Sequence, residues 1–141
     1  MVERGTRVRR RLVASILMVA TGSLLLVAAW LTPASHGHGT HTQMGLPPCG
    51  WVVSMGIPCP SCGMTTSFAH AADGDFLGAL KAQPAGAVLA LLSAMVFVVS
   101  AWVLFTGSAI GSFWIERIGK RFLLFGGLLF LGAWIYKIIT F

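Results

Sequence analysis

Three cysteines carry most of the chemistry in this sequence. Cys59 and Cys62 stand three residues apart in Pro58-Cys59-Pro60-Ser61-Cys62-Gly63, and Cys49 lies ten residues before Cys59. Thiols at that spacing can reach one metal ion, one another, or the disulfide of a partner protein. As metal ligands they are incomplete, because a structural zinc site takes four donors. Cys49 can be the third, and His41 or His70 the fourth. As redox groups they have one asset: Cys62 opens a short helix, and a helix N-terminus lowers a thiol pKa. As structure, a disulfide from Cys49 to Cys59 or Cys62 closes a loop of about ten residues, worth roughly 2–4 kcal/mol, and leaves one thiol over.

None of the three uses has its full context. A zinc ribbon pairs one CxxC with a second, absent here. A thioredoxin-like site sits in a strand–helix–strand unit, also absent. A staple or inert buried thiols are therefore the default reading. His36, His38 and His41, with Met44 nearby, are a second candidate set for copper or zinc. No acidic residue accompanies them to orient the imidazoles, so they read as a polar linker. His70 reads as a packed or interfacial residue before it reads as a ligand.

Other catalytic sets fail by inventory. The acids are Glu3, Asp73, Asp75 and Glu116, and Asp73 and Asp75 flank Gly74 as turn and cap residues do. The chain has neither a phosphate-binding Gly-Lys-Ser/Thr loop nor a Gly-x-Ser-x-Gly elbow. No catalytic residue and no resident cofactor is assigned; zinc on the cysteines is the one cofactor the residues allow.

The elements that must position these side chains are membrane elements. Of 141 residues, 56% are hydrophobic and only 10% charged, against about 25% charged in an ordinary soluble domain. Leu12 to Leu31 is an uncharged run of 20 residues, about 30 Å as a helix, which matches the hydrocarbon core. A cleaved signal peptide ending near Ala34 and Ser35 is the rival reading, but its apolar region would run only about 7–15 residues. Ala85 to Phe105 is a second uncharged run, opened by Pro84. Its Gly86, Ala90 and Ala94 form a small-residue stripe suited to close helix contact. Phe122 to Tyr136 is a third run, which can continue past a snorkelling Lys137 to residue 141. Trp134 and Tyr136 then mark an interface. No ionisable group falls inside these runs before Lys137, which argues against an ion or proton relay.

Net charge is +6, but the basic residues cluster at helix ends. Arg4, Arg7, Arg9, Arg10 and Arg11 precede the first run, and Arg117, Lys120 and Arg121 lie between the second and third. That pattern orients membrane helices and gives no footprint for nucleic acid. It predicts a cytoplasmic N-terminus (1–11), helix 12–31, an outer loop 32–84, helix 85–105, a basic cytoplasmic loop 106–121 and helix 122–141.

Within the outer loop, Met44 to Cys59 is broken by Pro47, Pro48, Gly50, Gly56 and Pro58 and cannot span. Met64 to Ala72 is predicted as one short helix. Phe76 to Gln83 is predicted as another, with Asp75 as N-cap and Phe76, Leu77 and Leu80 on one face. Cys49, then Pro58-Cys59-Pro60-Ser61-Cys62-Gly63-Met64-Thr65, then Gly74-Asp75-Phe76, Ala79 and Pro84 resemble a bacterial domain of unknown function, family 2752. That family comprises small multi-pass membrane proteins with a Cys-Pro-x-Cys-Gly-x-Thr motif before a membrane helix. The resemblance covers Cys49 to about Phe105. It implies membrane location and a shared loop structure, but no activity. The family usually places Arg after the Thr; this chain has Thr66.

The sequence thus predicts an all-α integral membrane protein with three transmembrane helices and an extracytoplasmic loop containing two short helices. It belongs in a bacterial inner (plasma) membrane, in contact with lipid and with a second copy or another membrane protein, the small-residue stripe being the expected contact. The leading function is a non-enzymatic membrane component acting through a protein partner. The alternative is an extracytoplasmic thiol–disulfide or metal-handling protein using Cys49, Cys59 and Cys62.

Overall fold

The computed structural model describes residues 2–108 and 120–141, with side chains for 6–108 and 123–141. All regular structure among the described residues is helical. α1 spans Val2–Trp30. A 3-10 turn at Thr40–Met44 follows, then α2 (Gly50–Met55), α3 (Met64–Ala72), α4 (Phe76–Ala82), α5 (Pro84–Thr106) and α6 (Lys120–Thr140). Among the described residues, three helices are long and apolar enough to cross a membrane: Thr6–Trp30 within α1, Pro84–Thr106, and Leu123–Thr140 within α6. Most of the segment expected to be the second cytoplasmic loop, Arg117 included, lies outside the described residues.

Local signals account for the helix limits. Pro84 opens α5 at a position that needs no amide donor. Gly107, at φ 69°, closes it by donating its amide to the Val103 carbonyl. Asp75 caps α4, accepting the Gly78 amide at 2.8 Å. The loop holds both predicted short helices, and adds α2 and the 3-10 turn in the Pro- and Gly-broken stretch.

α1 and α5 pack antiparallel. Gly22 faces the Phe97 ring, Ala28 shares a core with Ala90 and Phe68, and Gly107 lies against Arg7 and Arg11. The basic N-terminal residues therefore sit at one end of this pair, where they complement the negative C-terminal end of α5. The cysteine-bearing loop sits at the other end. α3 wedges against both helices. Its Ser67 lies so close to Gly86 that a Cβ there would come within 2.8 Å of the serine. Gly86 and Ala90 are thus consumed inside the chain, against α3 and α1, and are not free to meet another protein. The stripe was legible as a close contact; which partner it meets is decided by the folding back of α3.

α6 touches α5 lightly and is held mainly by its C-terminal turns. Trp134 Nε1 donates to the Pro58 carbonyl (3.1 Å) and Tyr136 Oη to the Lys81 carbonyl (3.3 Å). Lys137 does not snorkel. It is 4% exposed, and its Nζ donates to the carbonyls of Gly37 (2.9 Å) and Ala82 (3.0 Å). Ala82 ends α4, so its carbonyl has no helical partner. The loop folds over the end of α6 and supplies acceptors that water would otherwise provide.

Candidate metal centre

The site begins as a turn. Pro58 to Gly63 folds with the Cys62 amide bonded to the Cys59 carbonyl (3.0 Å) and the Met64 amide to the Ser61 carbonyl (3.1 Å). This brings Cys59 Sγ to 3.5 Å from Cys62 Sγ. Gly63 ends the turn at φ 86° and caps α3. A Cβ there would lie 2.7 Å from the Ala82 and Gly37 oxygens and 3.2 Å from Lys137 Nζ. Only glycine gives both the left-handed backbone and the space.

The third sulfur arrives from a separate segment. Cys49 stands immediately before α2, and the three sulfurs lie within 4.8 Å of one another. Zinc–sulfur bonds of about 2.3 Å at tetrahedral angles put sulfurs about 3.8 Å apart. The observed spacing is close to that of a thiolate cage, so the residues present fit a soft cation. All three are free thiols.

Their environments differ. The Val52 amide hydrogen-bonds the Cys49 sulfur and brings its pKa from 9.0 down to about 7. Burial, reinforced by the sulfurs of Cys59 and Cys49, pushes Cys62 up to about 12. The depressed Cys49 value contributes stability that is present above pH 9 and lost as pH falls through 7. The raised Cys62 value contributes stability that is present below pH 9 and lost as pH rises through 12. Cys49 is the more reactive thiol by exposure and ionisation. At pH 7 about half of it is thiolate against about 1% for an unperturbed thiol of pKa 9, but its nucleophilicity falls about eightfold with the lower pKa. Iodoacetamide should therefore modify metal-free Cys49 about sixfold faster than a reference thiol at pH 7, with a midpoint near pH 7, while Cys62 stays protected. Peptide mass mapping across pH 5–9 checks this. A midpoint near 9 would refute it.

The histidines go elsewhere. His70 Nδ1 pairs with Asp75 Oδ2 at 3.0 Å, tying α3 to the start of α4. His38 Nδ1 engages the His36 carbonyl (2.9 Å), and His41 Nε2 engages the Pro47 carbonyl (3.2 Å). Among the described residues, the one group of three or more metal-ligating side chains is the cysteine cluster. His41 does share with it the lining of an apolar groove of about 820 Å³, walled by Leu24 and Val27 of α1, by Leu31 and by Leu89 of α5.

Buried polar groups brace the turn. Gln83 is fully buried and donates from Nε2 to the Pro60 carbonyl (3.1 Å); its Oε1 has no partner. Ser67 Oγ donates to the carbonyls of Ala79 (2.8 Å) and Gln83 (3.0 Å). Thr66 is fully buried, its hydroxyl 2.8 Å from that of Thr40. A side chain of arginine length at that position would displace the 3-10 turn. Gln83 and Lys137 escaped sequence reasoning as parts of this site. The two available signals were a polar residue directly before Pro84 and a lone cation inside an apolar run.

No curated protein and no solved structure matches the chain. Residues 49–97, from the first cysteine to the middle of α5, match the family described as Protein of unknown function (DUF2752). The three thiols, the glycine turn and the short helices α2 and α3 fall inside that stretch, and over it the chain is similar to the DUF2752 family.

Proposed function

We propose that this chain is a multi-pass membrane protein that holds a soft metal ion, zinc foremost, on Cys49, Cys59 and Cys62 at the extracytoplasmic face of a bacterial plasma membrane. It acts without chemistry of its own, as a membrane component working with a protein partner. The observation that carries the reading is the convergence of three sulfurs from two separate segments to within 4.8 Å. An exchange pair needs two thiols, and a staple needs two; a cage uses the third. Thiolate donors select zinc, copper(I) and other soft cations over magnesium or calcium. The groove beside the cluster leaves room for a fourth donor from His41 or from a partner. The orientation rests on the excess of arginine before α1, at the bundle end opposite the thiols. The exposed Phe76, Leu77 and Leu80 of α4 suit a helix lying on the membrane surface.

Thiol–disulfide exchange is the second reading. It is favoured by the 3.5 Å separation of Cys59 and Cys62 and by the low pKa of Cys49. One experiment separates the two. Thiols are trapped in intact cells with a permeant alkylating reagent, and a parallel sample is purified in detergent without reductant for metal analysis. One zinc per chain, with three thiols titrating after chelation, is the expected result. A protein without metal and with a single alkylatable thiol would overturn the metal reading in favour of a disulfide.

A further inference from the structure

Lys137 is a buried cation that has no anionic partner among the described residues. It is 4% exposed, and both of its hydrogen bonds go to neutral carbonyls. No carboxylate of the described residues lies within ion-pair distance of it. An ammonium buried in this way is costly unless a negative charge balances it. Its Nζ sits 3.2 Å from where a Cβ of Gly63 would stand. Gly63 directly follows Cys62, the buried thiol of the cluster. α6 thus delivers a positive charge from a distant part of the chain to the back of the cysteine turn.

We propose that Lys137 is the counter-charge of the three-thiol centre, and that occupation of the centre is thereby coupled to docking of α6. Three thiolates around a divalent cation carry a net charge of −1. With the ammonium the assembly is neutral, which a weakly polar site favours. Lys137 is a positioning residue and makes no bond to the ion. The inference rests on the metal reading, and it predicts that zinc and α6 stabilise one another, since such coupling is reciprocal.

The test uses the full chain in detergent micelles, with zinc affinity measured by competition against a chromophoric chelator. Lys137→Met should weaken zinc at least about tenfold, the range seen for groups that act on a metal through its ligands. Lys137→Arg, which keeps the charge, should stay within about threefold of wild type. Trp134→Phe, which removes a neighbouring tether of α6 but no charge, should lose clearly less than Lys137→Met. An unchanged Lys137→Met affinity, or an equal loss in Trp134→Phe, would overturn the proposal. If Lys137→Met does not fold, hydrogen exchange on the wild type decides. Zinc should slow exchange in the last turns of α6, and unaltered exchange refutes the coupling. A wild type that binds no zinc refutes the metal reading itself, a separate outcome from a lysine without effect.

Discussion

Gly63→Ala is expected to cost about 3–5 kcal/mol and to release the cysteine turn from the bundle. Two effects add at this residue. A side chain forced to φ 86° pays roughly 1–2 kcal/mol for the left-handed conformation. The new Cβ would also meet two backbone oxygens at 2.7 Å, those of Ala82 and Gly37. Neither oxygen can swing away as a flexible side chain would, because each belongs to a segment held by Lys137. Relieving the contact must separate the turn from α4, from the Gly37 loop, or from α6. Thermal unfolding in detergent, followed by helical circular dichroism and Trp134 emission, checks the result. Gly45→Ala, a glycine of similar φ with nothing within 4 Å, is the control and should lose only the conformational part. Equal losses at the two positions would show that packing at Gly63 contributes nothing.

Cys62→Ser is expected to weaken zinc by roughly 100- to 1000-fold. Structural zinc sites with four donors bind with about 10–16 kcal/mol, or about 3 kcal/mol per ligand. Serine keeps the volume and removes the soft donor. The pH dependence identifies the ligands further. Zinc must displace the Cys62 proton at any physiological pH, because that thiol titrates near 12. Cys49 is already ionised above about pH 7 and surrenders a proton only below it. The logarithm of wild-type affinity should therefore rise with pH, with a slope steeper by one below about pH 7 than above it. Cys49→Ser should abolish that change of slope. Chelator competition between pH 6 and 8.5 measures both effects. A Cys62→Ser affinity within tenfold of wild type would remove Cys62 from the ligand set.

Much of the architecture was legible because its causes are local. Runs of 20 or so uncharged residues declare spanning helices by length alone, and the structure has long apolar helices in all three places. Met64–Ala72 and the Asp75 cap were readable for the same reason: a helix start, a cap and a Gly turn are written within a few neighbouring residues. The close spacing of Cys59 and Cys62 was likewise visible, since a four-residue turn sets it.

Contacts between distant segments were not legible. The sequence favoured a staple or inert thiols over an exchange pair or a cage, because the position of Cys49 depends on how α2 docks. It marked Gly86 and Ala90 as a contact stripe but could not say that α3 and α1 would fill it. Lys137 shows the difference most plainly. A cation near the end of an apolar helix reaches for water by default. Here the carbonyls of Gly37 and Ala82, 100 and 55 residues away, close over it. Helix, turn and span follow from short-range sterics and from the cost of exposing apolar surface, both written residue by residue. Which sulfurs, carbonyls and charges meet is decided only when segments far apart in sequence bury one another.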